Sequence, residues 1–155
     1  MSNTRPDIRE HEIAVDLPEA GDAQIRFIGR IHTPWKTRAD CPRQGDLDGP
    51  ICRVELFEPW GPALQGVEEL EHVELLYWLD RARRDLVVQN PGSKGAPRGT
   101  FALRSPVRPN PIGLSLVRLV SVEGMTLNVR GLDCLDGTPL IDIKPQRCAF
   151  SPKAK

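Results

Sequence analysis

The sequence predicts a small, mainly β fold of antiparallel strands, with one or two short helices and long loops rich in proline and glycine. Three observations carry that expectation. The chain has 15 prolines in 155 residues, lying between apolar runs instead of in one tract, so few stretches can hold an uninterrupted helix. Apolar and polar residues alternate at period two in several short runs, the pattern of half-buried strands. Glu123-Gly124 and Asp136-Gly137 are tight-turn dipeptides set between such runs.

Taken in order, residues 1–23 are polar, contain Pro6 and Pro18, and read as a loose arm or one edge strand. Ile25, Phe27, Gly29 and Ile31 form the first alternation; Cys52, Val54 and Leu56 form the second, with Arg53 and Glu55 on the other face. Between Gly66 and Arg84, acids come early and arginines late, which suits a helix dipole. Yet Val73, Leu75, Tyr77 and Leu79 alternate with their neighbours, and the reading adopted is a short helix at 67–71 feeding a buried strand. Residues 89–99 form a loop, freed by Gly92, Gly95 and Gly99 and charged by Lys94 and Arg98; it is a functional candidate or a solvated surface loop. Ile112, Leu114, Leu116, Val120 and Val122 share one parity, and Met125, Leu127 and Val129 resume alternation after Glu123-Gly124, which predicts a hairpin. A last apolar run, Leu140 to Ile143, follows Asp136-Gly137. No repeat is evident, one domain is expected, and Ser151 to Lys155 read as a short tail.

Lys and Arg number 21 against 21 Asp and Glu, which excludes a strongly basic nucleic-acid binder. The charge is uneven, however: residues 101–155 hold 8 basic and 4 acidic side chains. No run approaches the ~20 apolar residues of a membrane helix. Arg5, Asp7, Arg9, Glu10 and Glu12 break up any signal-peptide core, so a cytoplasmic protein with no membrane association is expected. Cys41, Cys52, Cys134 and Cys148 form no Cys-x-x-Cys pair, and His11, His32 and His72 are scattered; reduced thiols and no metal are the expectation.

Three segments carry chemistry. Residues 101–115 include Arg108-Pro109-Asn110-Pro111, a stiff strap, because a residue before proline is held extended. It presents Arg104, Arg108 and Asn110, whose planar and amide groups suit an anion, or whose arginines pair with acids of the same fold. Residues 132–145 place Asp133, Asp136 and Asp142 in an otherwise apolar stretch. The turn explains Asp136, while Asp133 and Asp142 need a partner or a cation. Pro42-Arg43-Gln44-Gly45-Asp46 is a polar loop after the first strand. No Gly-x-Gly-x-x-Gly or phosphate-binding P-loop is present.

Together these segments resemble the TsaA-like family, the TrmO-type single-barrel methyltransferases. The resemblance rests on residues 28–36 (Ile-Gly-Arg-Ile-His-Thr-Pro-Trp-Lys), on Pro42-Arg43-Gln44, on residues 104–113 (Arg-Ser-Pro-Val-Arg-Pro-Asn-Pro-Ile-Gly), on residues 135–139 (Leu-Asp-Gly-Thr-Pro), and on Asp142-Ile143-Lys144-Pro145. It implies a compact antiparallel β-barrel over residues 24–146, followed by a tail at 147–155, that forms a homodimer and binds S-adenosyl-L-methionine in a pocket of loops, with residues shared across the dimer. It implies N6-methylation of threonylcarbamoyladenosine in tRNA next to the anticodon. Cofactor contacts carry over to Arg43, Gln44, Gly45, Arg104, Leu114, Asp133, Leu135 and Asp136. Asp80 and Arg81 stand where bacterial members carry His-Gln, and are taken to meet the cofactor's polar groups.

In that setting Arg104 pairs with the methionine carboxylate, and Asp133 or Asp136 accepts from the ammonium or the ribose. Asp133 and Asp142 are the candidate bases for the acceptor's N6 proton. Lys94, Arg98, Arg108 and Asn110, with the Arg81, Arg83 and Arg84 cluster, are read as RNA contacts. The alternatives are a non-catalytic module that binds S-adenosylmethionine or RNA, and a methyltransferase for another RNA or a small molecule. Cys134 is read as a packing residue. Trp35, Trp60, Trp78 and Tyr77 are read the same way, with stacking on a base as the functional option.

Overall fold

Alternation at period two dictates the architecture. In a computed structural model of the chain, describing residues 8–93 and 95–147, the strands are β1 (Ile13–Ala14), β2 (Gly29–His32), β3 (Cys52–Leu56), β4 (His72–Trp78), β5 (Leu86–Gln89), β6 (Arg98–Gly99), β7 (Ile112–Glu123), β8 (Thr126–Arg130) and β9 (Thr138–Pro145). Short 3-10 turns, including Val67–Glu69 ahead of β4, are the only helical elements among the described residues. They form two units, residues 8–24 with 79–112, and residues 25–78 with 113–147.

The larger unit is a closed barrel in the order β2-β3-β8-β7-β4-β9. Closure leaves no open sheet edge. Ile31, Val54, Val73, Leu75, Val117, Leu127, Val129 and Leu140 are fully buried inside it. Cys52, Val54 and Leu56 point inward as their parity predicts, and Arg53 and Glu55 outward. The β7–β8 hairpin turns at Gly124, which adopts φ 61°, a conformation glycine takes without steric cost.

Two parity expectations are corrected. Ile25 and Phe27 are 44% and 46% exposed, while Gly29 and Ile31 of the same alternation are buried. The strand begins only at Gly29, where a Cβ would lie 2.2 Å from the Glu55 carbonyl oxygen, so Ile25 and Phe27 precede the paired segment. On β7 the inward positions are Gly113, Ser115 and Val117, whereas Leu114, Leu116 and Val120 are 42%, 37% and 46% exposed. The more apolar parity of that strand therefore faces out of the barrel.

The smaller unit contains the sheet β1-β5-β6. Arg98 and Gly99, expected in a loop, form β6 and pair with Gln89 and Val88. The strap is anchored by a buried network. Gln89 Nε2 donates to Thr100 Oγ1 at 2.9 Å and to the Val107 carbonyl at 2.7 Å, and Thr100 Oγ1 donates to the Leu86 carbonyl at 2.7 Å.

Candidate functional site

The turn between β8 and β9 is tied to the segment after β2 by its backbone and side chains. Asp136 N–H donates to the Trp35 carbonyl at 2.8 Å, and Gly137 N–H donates to that of Ile31 at 2.8 Å. In return Thr33 N–H donates to Asp136 Oδ1 at 3.0 Å, and the buried Thr33 hydroxyl donates to the Cys134 carbonyl at 2.8 Å. Lys36 Nζ pairs with Asp136 Oδ2. The Lys36 bond first, then the Thr33 N–H, holds the Asp136 carboxyl below the ordinary carboxylate range. Asp136 thus braces the turn.

Asp133 lies earlier in the same segment between β8 and β9. Tyr77 Oη, from β4, donates to Asp133 Oδ1 at 3.3 Å and lies 2.7 Å from Ser115 Oγ of β7. Burial, more than any neighbouring charge, pushes the Tyr77 phenol well above its usual range. Loop 42–45 closes on the start of the turn, where Gly45 meets the Gly131 carbonyl. The Cys41 thiol at the base of that loop is raised by burial and then by the negative charges of Asp133 and Asp40. The barrel therefore brings Gly45 beside the turn that carries Asp133, Leu135 and Asp136; Arg43 and Gln44 are exposed on the same loop.

A cleft of about 520 Å³ opens beside Asp136, with His32, Lys36, Arg53 and Asn128 among its walls. His32 Nε2 is 2.8 Å from Glu55 Oε2, and its Nδ1 is 3.9 Å from Asp136 Oδ1. Asp142 sits apart in sequence on β9, 2.8 Å from Lys144 Nζ. Leu114 is on the outward face of β7.

In the smaller unit, Arg108 Nη1 donates to the Leu103 and Ser105 carbonyls at 3.0 Å each, so its guanidinium staples the strap. Arg83 Nε and Nη2 form a shielded bidentate pair with Asp85 at 2.7 and 3.0 Å. Asp80, Arg81, Arg98, Arg104 and Asn110 are exposed. Lys94 lies outside the described residues. Among the described residues, no group of three or more His, Cys, Asp or Glu side chains could hold a metal ion, and no helix is long and apolar enough to cross a membrane.

Sequence reasoning missed Thr33, Ser115 and the hydroxyl of Tyr77. Two of them left a trace: Thr33 lies in the first resembling segment, and Gly113, directly before Leu114-Ser115, marks a place where another group approaches closely.

A family model described as the tRNA-methyltransferase O N-terminal domain matches residues 30–150. A probable S-adenosyl-L-methionine-binding protein, VirR of Rhizobium radiobacter, is 54% identical over 99% of this chain and 87% of its own length. A mouse tRNA (adenine(37)-N6)-methyltransferase is 36% identical over 82% of this chain and 31% of its own. A crystal structure of TrmO from Pseudomonas aeruginosa superposes with a TM-score of 0.67 at 36% identity, covering 83% of this chain. The chain spans 57% of that solved structure.

Proposed function

Because the chain belongs to the family of the tRNA-methyltransferase O N-terminal domain, we propose that it is an S-adenosylmethionine-dependent methyltransferase acting on N6 of threonylcarbamoyladenosine in tRNA, next to the anticodon. The observation that carries this reading is the closure of loop 42–45 on the turn that presents Asp133. The donor set fits the cofactor: carboxylate oxygens suit an ammonium and ribose hydroxyls, and guanidinium groups suit a carboxylate. When bound, S-adenosylmethionine supplies a methyl group on a positively charged sulfur, open to in-line displacement.

Alignment and exclusion of water are then the protein's main tasks. Asp133 holds the ammonium or a ribose hydroxyl, and Arg104 takes the methionine carboxylate. Arg43, Gln44, Leu114 and Leu135 line the cofactor, and Asp80 and Arg81 meet its polar groups. Asp133 and Asp142 are the two carboxylates that would accept the N6 proton, the S–CH3 bond breaking as the N6–CH3 bond forms. Arg98, Lys94 and Asn110 contact the RNA. The outward row Leu114, Leu116 and Val120 on β7 supports a homodimer, because a barrel wall with that much exposed apolar area gains by being covered. The family, a tRNA-methyltransferase domain by its description, supports a cytoplasmic location.

The VirR relative, matched over nearly the whole chain, is named for binding S-adenosylmethionine. That favours a second reading, a binding module without turnover. Calorimetric titration with S-adenosylmethionine, repeated on Arg104→Ala and Asp133→Ala, tests the pocket: saturable binding weakened in both variants is expected, and no binding by the folded wild type overturns both readings. Transfer of a labelled methyl group to tRNA carrying threonylcarbamoyladenosine then separates enzyme from module. If Asp133→Asn and Asp142→Asn both retain full turnover at saturating cofactor, neither carboxylate is the base.

A further inference from the structure

Tyr77 is the only tyrosine of the chain and is 4% exposed. Its ring covers Gly113 so closely that a Cβ there would lie 2.1 Å from Cε2. Phenylalanine would pack this wall of the barrel without placing a hydroxyl among apolar side chains, where an unbonded one is costly. The hydroxyl is bonded on both sides, 2.7 Å from Ser115 Oγ and 3.3 Å from Asp133 Oδ1. An ionised carboxylate can only accept, so the phenol donates to Asp133 and the Ser115 hydroxyl donates to the phenol. A directed hydrogen-bond chain thus runs from β7 through β4 to the turn.

We propose that Tyr77 is a positioning residue for Asp133: its O–H fixes the carboxylate in the orientation that receives the ammonium or ribose of S-adenosylmethionine, and Ser115 fixes the direction of that O–H. The inference rests on the assignment of Asp133 above and adds what makes that carboxylate competent. Burial keeps the phenol protonated, so it remains a donor throughout the working pH range. A donor that favours the charged carboxylate also extends binding to lower pH.

The test is calorimetric titration of the full chain with S-adenosylmethionine across the acidic range, on wild type, Tyr77→Phe, Ser115→Ala, Asp133→Asn and Tyr77→Phe/Asp133→Asn. Tyr77→Phe keeps the ring against Gly113 and is expected to weaken binding about tenfold, the scale of one hydrogen bond to a charged group. Its acidic limb of binding moves to higher pH, a change that loss of packing alone would not produce. Ser115→Ala weakens binding by about two- to fivefold and decides the matter if Tyr77→Phe does not fold. In the Asp133→Asn background the Tyr77 substitution adds little, because the bond it removes no longer meets a charge. Wild-type affinity and an unmoved acidic limb in Tyr77→Phe and Ser115→Ala, with Asp133→Asn impaired, overturns the inference alone. Wild-type affinity in Asp133→Asn overturns the assignment of Asp133 and the inference with it.

Discussion

The carbonyl oxygen of Gly131 occupies the space where a side chain on Gly45 would begin, since a Cβ there would lie 1.8 Å away. Gly131 itself adopts φ 116°, which a residue with a side chain rarely takes. Two glycines therefore seat the loop after β2 against the end of β8. Gly45→Ala cannot be absorbed by rotating a side chain, because the obstacle is backbone. The substitution is expected to displace loop 42–45 and weaken S-adenosylmethionine binding by about tenfold or more while the barrel keeps its circular dichroism spectrum. Wild-type affinity in Gly45→Ala would show that the loop makes no contribution to binding.

Thr33 offers a second handle on the same turn. Thr33→Val preserves shape but removes the hydroxyl that donates to the Cys134 carbonyl, leaving a buried acceptor without that donor. A loss of about 1–3 kcal/mol of stability follows, read as a lower urea midpoint with an unchanged denaturant slope. An unchanged midpoint would mean that the carbonyl finds water or another donor at no cost.

Much of this was legible in the sequence because strand parity and turn dipeptides are local signals. The positions of β3, β4 and the β7–β8 hairpin follow from period-two alternation, the hairpin marked by Glu123-Gly124, and that of β9 from the apolar run after Asp136-Gly137. The orientation of β7 was not legible. Hydrophobicity would turn Leu114 and Leu116 inward, but Gly113 must lie under the Tyr77 ring, and that contact joins residues remote in sequence. Closure of the barrel came from the resemblance alone, since pairing β2 with β9 spans most of the chain. The aspartates of the turn were visible as polar residues among apolar ones. What sets the two apart is that Thr33 and Lys36 hold Asp136 while Tyr77 bonds Asp133, partners that no spacing links to them.

Asp136 gives the fold an acidic limit. Its carboxyl is held down by Lys36 and by the Thr33 N–H, so the folded state binds its proton less readily than the unfolded chain does. The resulting stabilisation is present above the ordinary carboxylate pKa and is lost as pH falls through the lower folded value. Asp136→Asn removes this contribution, and its denaturation midpoint should vary less steeply with pH between about 5 and 3 than that of the wild type. Parallel profiles for the two proteins would show that Lys36 and Thr33 exert no net pull on the carboxyl.

The thiols set the opposite limit and separate by burial. Burial pushes Cys134 up to about 12 and Cys52 up to about 11, while Cys41 is only partly covered. The thiolate is the reactive form, so alkylation of native protein near pH 8 should modify Cys41 and leave Cys52 and Cys134 protected until the barrel opens. The same shifts act on stability. A thiol that holds its proton more tightly when folded stabilises the fold below the unfolded thiol pKa, and that stabilisation declines as pH rises toward the folded value. The denaturation midpoint should therefore fall from about pH 9 upward, and Cys134→Ala should flatten that decline despite its own packing cost. Rapid labelling of Cys134 in folded protein at pH 8, mapped by peptide mass, would show that the turn opens on the labelling timescale and is not the fixed brace that its hydrogen bonds describe.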